Sequence, residues 1–396
     1  MRRALLALSL VLPVASAAEA VQVMVRPADA REVRGQITGI EAGILSIRTS
    51  TGQARDFRLA DLMSVEMTGV KAPTAEGCSR VYTVSGDVIP AKISTSAGKL
   101  TGAGPWTERF DISTKDLSAI LLPGGLKDKR ALEAIGSGSR SKTDHIYLLG
   151  DDFGGSFEGL TQDGVKFKSF MGEEKYKLEA LAAISFAELK PFKRPDTTFV
   201  TAELAGGGKV SGTPQKFEGG RLSWKTLGGM KLALKVSAIS ALRVVNGRVT
   251  FLADMKPEKV EQKPFIHGLP FVWTWRRNED VFRKPLKLGG KEFSRGLGVA
   301  AYTRLTYRLD GKYKRFEAAA GVCDSVAPGG KTAFKVLVDG KTRFDNTKNP
   351  LSRGKNPRKV SVDVKGAKTL ALIVDFGPDG SDLGDIGGWG EARVIK

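Results

Sequence analysis

The stretch Phe57-Arg58-Leu59-Ala60-Asp61-Leu62-Met63-Ser64-Val65-Glu66-Met67 places apolar residues at relative offsets 0, 2, 5, 8 and 10. Tyr176, Leu178, Leu181, Ile184 and Phe186 repeat these offsets, as do Leu234, Val236, Ile239, Leu242 and Val244. Phe110, Ile112, Leu117, Ile120 and Leu122 follow the same pattern, with two residues inserted after the second position. A step of two marks one face of a strand, because successive side chains point to opposite sides of a sheet. The two steps of three, placed around a polar residue such as Asp61 or Asp116, suit one tight turn that interrupts the strand. A second step of two resumes a strand on the same core. Four copies of one frame predict a repeat.

Upstream of each frame lies a turn-plus-strand signal: Gly43-Ile44-Leu45, Gly98-Lys99-Leu100, Gly164-Val165-Lys166-Phe167 and Gly220-Arg221-Leu222. Further upstream are glycine-marked strands near Gly35, Gly86, Gly154 and Gly208. The predicted units span residues 21–69, 78–124, 143–190 and 197–248, each a set of four or five short strands with one helical turn before the last. A sheet that small must curl and close, or pair with a neighbour, to bury its apolar face. The order of elements resembles the Sm-like or SH3-like small barrels. The connectors are Thr68 to Gly77, Lys190 to Asp196, and a short helix over Lys127 to Ile135 followed by a hinge at Gly136-Ser137-Gly138-Ser139.

From Val249 the texture changes. Three blocks stand out: Gly290-Lys291-Glu292-Phe293-Ser294-Arg295-Gly296-Leu297-Gly298-Val299, then Leu305-Thr306-Tyr307-Arg308-Leu309-Asp310-Gly311-Lys312-Tyr313-Lys314-Arg315-Phe316, then Val336-Leu337-Val338-Asp339-Gly340-Lys341. Alternation in Ala333 to Val338 and Val360 to Val364, with turn signals every eight to twelve residues, predicts a β-sandwich. These blocks, in order over residues 249–396, resemble the NPCBM family of carbohydrate-binding modules. The resemblance implies a galactose-binding-like β-sandwich of jelly-roll type, usually appended to exported bacterial proteins and often recognising terminal sugars. This chain departs from the family pattern at three places. Ala300 stands where the family commonly has His, Cys323 where it has an acid, and Asp385-Ile386-Gly387-Gly388-Trp389 where it reads D-x-A-D-W.

Sugar recognition uses an aromatic face and a few polar groups that fix hydroxyls. Trp389, beside Asp385 and close to Asp382, is the first candidate platform, against a core role for the indole. Tyr302 and Arg304 follow the Gly296–Val299 stretch and are candidates to line the same site, against a solvated strand face. Trp273 and Trp275 alternate and are expected to share a face, with packing the plainer role. Asp324, Asp382 and Asp385 are candidate ligands for a structural Ca²⁺, an ion that takes several loop oxygens. The alternative is that these carboxylates cap loops.

Residues 1–20 carry Arg2 and Arg3, a short apolar run from Ala4 to Val14, and small residues at Ala15-Ser16-Ala17 and Ala18-Glu19-Ala20. This is the pattern of a signal peptide, and the run is too short to cross a bilayer, which needs about 20 apolar residues. No transmembrane span is expected, and the location expected is secreted, periplasmic or cell-envelope. The net charge of +19, scattered through every region, attracts polyanions. Export favours an acidic polysaccharide or envelope component over nucleic acid as the anion. Cys78 and Cys323 lie in different predicted domains and form no metal knuckle. Their pairing is left open. Catalysis finds little support, since only His145 and His267 are present, in expected loops. Gly206-Gly207-Gly208 lacks the Lys and following helix of a phosphate loop. The expectation is an all-β, non-catalytic exported protein whose C-terminal module engages a carbohydrate. The alternative is an envelope structural or protein-interaction role in which sugar binding has been lost.

Overall fold

The computed structural model describes residues 21–396, apart from 29, 97–98, 137–140, 149, 188–190, 267–272, 329 and 380. The signal peptide expected over 1–20, the hinge at 137–139, Gly98, Lys190 and His267 therefore lie outside the described residues. The chain divides into two compact units, Met1–Val244 and Val245–Lys396.

The first unit holds four sets of five strands. They are β1 Gln22–Pro27, β2 Val33–Glu41, β3 Ile44–Thr49, β4 Ala54–Arg58 and β5 Leu62–Met67; then β6 Ser79–Thr83, β7 Val88–Ser96, β8 Lys99–Ala103, β9 Phe110–Ile112 and β10 Leu117–Leu121. After the helix α1 (Lys129–Gly136) come β11 Asp144–Leu148, β12 Asp152–Leu160, β13 Gly164–Ser169, β14 Gly172–Lys177 and β15 Leu181–Ser185. The fourth set is β16 Phe199–Leu204, β17 Lys209–Glu218, β18 Arg221–Thr226, β19 Lys231–Lys235 and β20 Ile239–Val245. The tight turn read from the repeated frame is a 3₁₀ turn in every copy, at Leu59–Asp61, Thr114–Asp116, Leu178–Ala180 and Val236–Ala238. In the second copy the two inserted residues delay the turn, which is why the frame lengthens there without losing its register.

In each set the last strand returns to the first: β5 to β1, β10 to β6, β15 to β11 and β20 to β16. The second strands bend at bulges, between Ile37 and Gly39, Phe157 and Gly159, and Pro214 and Lys216. Bulges of this kind let a short sheet curl into a barrel. Gly35, Gly155 and Gly212 occupy one shared place in these strands, where an added Cβ would lie 2.4, 2.1 and 2.1 Å from the facing carbonyl oxygen. The repeats also pair through their last strands, and the pairing is nested: β5 joins β20 and β10 joins β15. The first repeat thus meets the fourth and the second meets the third. One apolar core runs through the unit, from Val25 and Leu45 to Phe167 and Trp224. Trp106 Nε1 donates to the Ala205 carbonyl at 2.6 Å, tying the second repeat to the fourth.

The second unit is a β-sandwich. Its strands are β21 Val249–Phe251, β22 Lys259–Gln262, β23 Arg276–Arg277, β24 Lys287–Leu288, β25 Lys291–Glu292, β26 Gly296–Ala300, β27 Thr303–Arg308, β28 Arg315–Val322, β29 Ala333–Val338, β30 Lys341–Asp345, β31 Arg358–Asp363, β32 Thr369–Asp375 and β33 Ile386–Ile395. One sheet has the order β23-β26-β33-β28-β31, with β21 also on β33, and the other β22-β27-β32-β29-β30. Alternate residues of both face a common core that includes Leu297, Leu305, Tyr307, Phe316, Phe334, Leu372 and Trp389. The short β24–β25 hairpin brings Leu286, Leu288 and Phe293 onto β33 where that strand carries Gly388 and Gly390. Cys78 and Cys323 are both buried free thiols, one in each unit.

Candidate functional site

Strand register decides which side chains meet on the outer face of the second sheet. Glu261 of β22 lies opposite Arg304 of β27, Arg304 opposite Ile373 of β32, Ile373 opposite Lys335 of β29, and Lys335 opposite Asp345 of β30. Side chains directly opposite across strands share a face and interact. The row therefore reads acid, base, apolar, base, acid. Arg304 Nε lies 3.6 Å from Glu261 Oε2, and Lys335 Nζ donates to Asp375 Oδ2 at 2.8 Å. Tyr302, half-buried just before β27, sits among these groups. Burial pushes its phenol pKa up; Arg304 and Lys335 pull it down, and Asp375 and Glu261 reinforce the rise. Lys263 Nζ stands 5.4 Å from the centre of the Tyr302 ring, close enough for a cation–π contact. The two backbones hold that placement, since Lys263 N donates to Tyr302 O at 3.0 Å.

Aromatic surface flanks the charged row. Phe265, 39% exposed, meets the Phe376 ring at 5.0 Å and 71°. Trp273, 42% exposed, meets Phe282 at 4.9 Å and 75°. Gln262 ties the second pair to the site: its Nε2 donates to the Trp273 carbonyl at 2.8 Å and to Thr303 Oγ1 at 3.0 Å. Large apolar side chains left this exposed beside polar groups can take the apolar face of a ligand.

The residues singled out from the sequence are distributed as follows. Tyr302 and Arg304 are together, in the cluster just described. Trp389, expected as a platform, is placed elsewhere: it is 0% exposed and packs edge-on against Phe334 at 5.2 Å and Phe316 at 6.3 Å. It fills the space between the sheets and presents no face to a ligand. Trp273 and Trp275, expected to share a packed face, separate: Trp273 is exposed, whereas the half-buried Trp275 has the Arg277 guanidinium 5.3 Å from its ring. Asp385 is 2% exposed, accepting from Thr332 Oγ1 at 3.0 Å and Gly377 N at 3.3 Å. Burial raises its pKa to about 6, the Gly377 and Thr332 donors oppose the rise, and Asp379 and Asp382 add to it.

Asp324 accepts from Gly289 N at 3.0 Å and Gly290 N at 2.8 Å, which fastens the turn of the β24–β25 hairpin. Asp382 is exposed. Of the three candidate carboxylates, Asp324 and Asp385 each accept two hydrogen bonds from loop donors. Among the described residues no three His, Cys, Asp or Glu side chains converge as metal ligands. Lys263, Glu261, Lys335 and Asp375 were not singled out from sequence. Glu261, Lys335 and Asp375 are ordinary charged residues of β22, β29 and β32, Lys263 follows the end of β22, and only the pairing of these strands with β27 makes them neighbours of Tyr302.

Residues 249–395 match the family described as NPCBM/NEW2 domain. Over 112 residues the chain is 30% identical to a Renibacterium salmoninarum protein named as an endo-alpha-N-acetylgalactosaminidase. That alignment covers 28% of this chain and 7% of the relative's length. Among solved structures, a CBM51 module from Clostridium perfringens in complex with methyl-galactose is similar at 21% identity and a TM-score of 0.33, over 37% of this chain and 99% of that one. Tandem CBM51 modules of a Streptococcus pneumoniae family 98 glycoside hydrolase are similar at 13% identity and a TM-score of 0.33, over 88% of this chain and 87% of theirs. At TM-scores this low the fold is read from the chain's own sheets.

Proposed function

We propose that this chain is an exported, non-catalytic glycan-binding protein that engages its ligand on the Tyr302–Arg304 face of the sandwich. The observation that carries the reading is the convergence, within a segment of NPCBM type, of Tyr302, Arg304, Lys335 and Lys263 beside the exposed Trp273 and Phe265. Aromatic surface for the apolar face of a sugar ring, next to charged donors for its hydroxyls, is the composition such recognition needs. The carboxylates of the cluster support the absence of chemistry. A two-carboxylate hydrolase needs one acid held protonated opposite a free base. Here Glu261 has its pKa lowered, first by Lys259, and Asp375 is engaged by Lys335. The basic n-region and apolar run of residues 1–20 support export.

A glycan array probed with the full chain tests the reading. One class of glycan is expected to retain the protein, and Tyr302→Ala or Arg304→Ala should each weaken retention about tenfold, the scale of one lost charge-assisted hydrogen bond. Uniform silence across neutral and acidic glycans would instead favour an envelope protein whose sandwich serves protein contacts.

A further inference from the structure

The first unit contains a cavity of about 520 Å³ that the sandwich reading does not use. It lies on the seam where β10 meets β15. A row of facing residues crosses four strands there: Tyr82 opposite Ala119, Ala119 opposite Ser185, and Ser185 opposite His145. The alternate row, Val81, Ile120, Ile184 and Ile146, is buried in the barrel core. By the two-residue period of a strand, the first row faces the other way. Its centre is small, Ala119 and Ser185, and its ends are rings. Tyr147 adds a third ring, stacked on His145 at 6.3 Å and 25°. Next to the cavity, α1 covers the same sheet face, with Ala131 packed among Leu121, Ala182 and Ala183.

The sister seam between β5 and β20 shows what this face looks like when it is filled. There the repeat places Glu66 and Arg243 where this seam has Ser185 and Leu121. Arg243 pairs with Glu66 at 3.2 Å and with Glu203 at 3.3 Å, and Arg26 reaches Glu66 at 3.4 Å. One pair of repeats closes its outer face with ions, and the other leaves room.

Part of the polar lining is engaged within the protein: His145 Nε2 lies 3.0 Å from Ser141 Oγ and 3.3 Å from Thr143 Oγ1, and Ser118 Oγ donates to Thr83 O at 3.2 Å. No hydrogen bond engages the Tyr82 or Tyr147 phenols or the Ser185 hydroxyl among the described residues, and His145 Nδ1 is buried without a partner. Among the described residues the one carboxylate in the lining, Asp87, is already engaged: Oδ1 accepts from Ser211 N at 2.6 Å and Oδ2 from Ser85 Oγ at 2.9 Å. Among the described residues the lining holds no Lys or Arg and no free anion, and the Arg194 guanidinium stands at its rim, where a Cβ on Gly86 would meet Nη2 at 3.1 Å. The geometry points to a second binding site, in the barrel unit, for a single neutral sugar ring: Tyr82 and Tyr147 flank its apolar faces, and the Ser185 hydroxyl meets one of its own. A cavity of this size is in the range of small-ligand sites, roughly 300–1,000 Å³.

Calorimetric titration of the full chain with methyl-β-galactoside, methyl-β-glucoside and N-acetylglucosamine tests this, with uridine and galacturonate as the nucleoside and anionic arms. At least one neutral sugar should bind at a site that Ser185→Trp weakens at least tenfold and that Tyr302→Ala leaves unchanged. Ala119→Leu fills the same space from the neighbouring strand and should reproduce the loss, with thermal unfolding showing that either variant keeps its fold. Binding abolished by Tyr302→Ala and untouched by both cavity variants overturns this site while leaving the sandwich reading intact. Silence of all three neutral sugars, or cavity-dependent binding of uridine or galacturonate alone, overturns the proposed ligand.

Discussion

Asp385 is a carboxylate held where its charge is unwelcome. It is enclosed beside β33 with only the Thr332 hydroxyl and the Gly377 amide to satisfy it, and its pKa rises to about 6. An unfolded Asp titrates near 3.9, so between about pH 4 and pH 6 the folded chain binds more protons than the unfolded one. Stability of the sandwich therefore falls as pH rises through that window, by about 3 kcal/mol in total. Asp385→Asn removes the charge and keeps a carbonyl oxygen for one of the two donors, which address Oδ1 and Oδ2 separately. In chelator-containing buffer, denaturant unfolding should show the stability of the variant relative to wild type rising by about 2 kcal/mol between pH 4.5 and pH 7.5. An unchanged pH slope would mean that the side chain does not titrate as described. The two tryptophans that exchanged expected roles show the same dependence on surroundings. Periodicity assigns an indole to a face of its strand, but what covers that face comes from other strands. Phe316 and Phe334 cover Trp389, whereas Trp273 stays exposed beside Phe282.

Strand β33 sits in the middle of its sheet and carries Gly387, Gly388 and Gly390 where bulkier residues would be expected. A Cβ at Gly387 would lie 2.7 Å from the Phe334 ring, and one at Gly390 2.6 Å from the Phe293 ring. These glycines are spaces that the core ring and the β24–β25 hairpin occupy. Gly390→Ala should destabilise the sandwich by about 1–3 kcal/mol, the cost of overpacking a filled site. Adding Phe293→Leu should recover part of that loss in urea unfolding, because the smaller side chain can yield. Equal stability of Gly390→Ala and wild type would show that the hairpin lifts away freely. The 3₁₀ turns were more legible. The steps of three around Asp61 and Asp116 need a turn to keep both flanking strands on one core, and the chain makes one in every repeat.

Across the whole molecule the excess of basic residues is spread over both units, so attraction to polyanions is long-range and screened by salt. Retention on a heparin-type resin should be strong at low ionic strength and fall steeply by about 0.15 M salt. Salt-insensitive retention would point to a specific contact in place of the general field. The sequence by itself determined the all-β class, the four-fold frame with its turns, and the sandwich of NPCBM type, because alternation and turn residues act within a few positions of one another. It also marked Tyr302 and Arg304, which stand next to a recognisable block. Only the tertiary structure decided that the first repeat pairs with the fourth and the second with the third. Every last strand offers the same backbone donors and acceptors, and nothing local distinguishes one partner from another. Register likewise decided that Lys263, Glu261, Lys335 and Asp375 gather at Tyr302, and that Ser185 faces a cavity where Glu66 closes the corresponding seam. Such neighbours come from distant strands, and their meeting is a property of how the sheets pair.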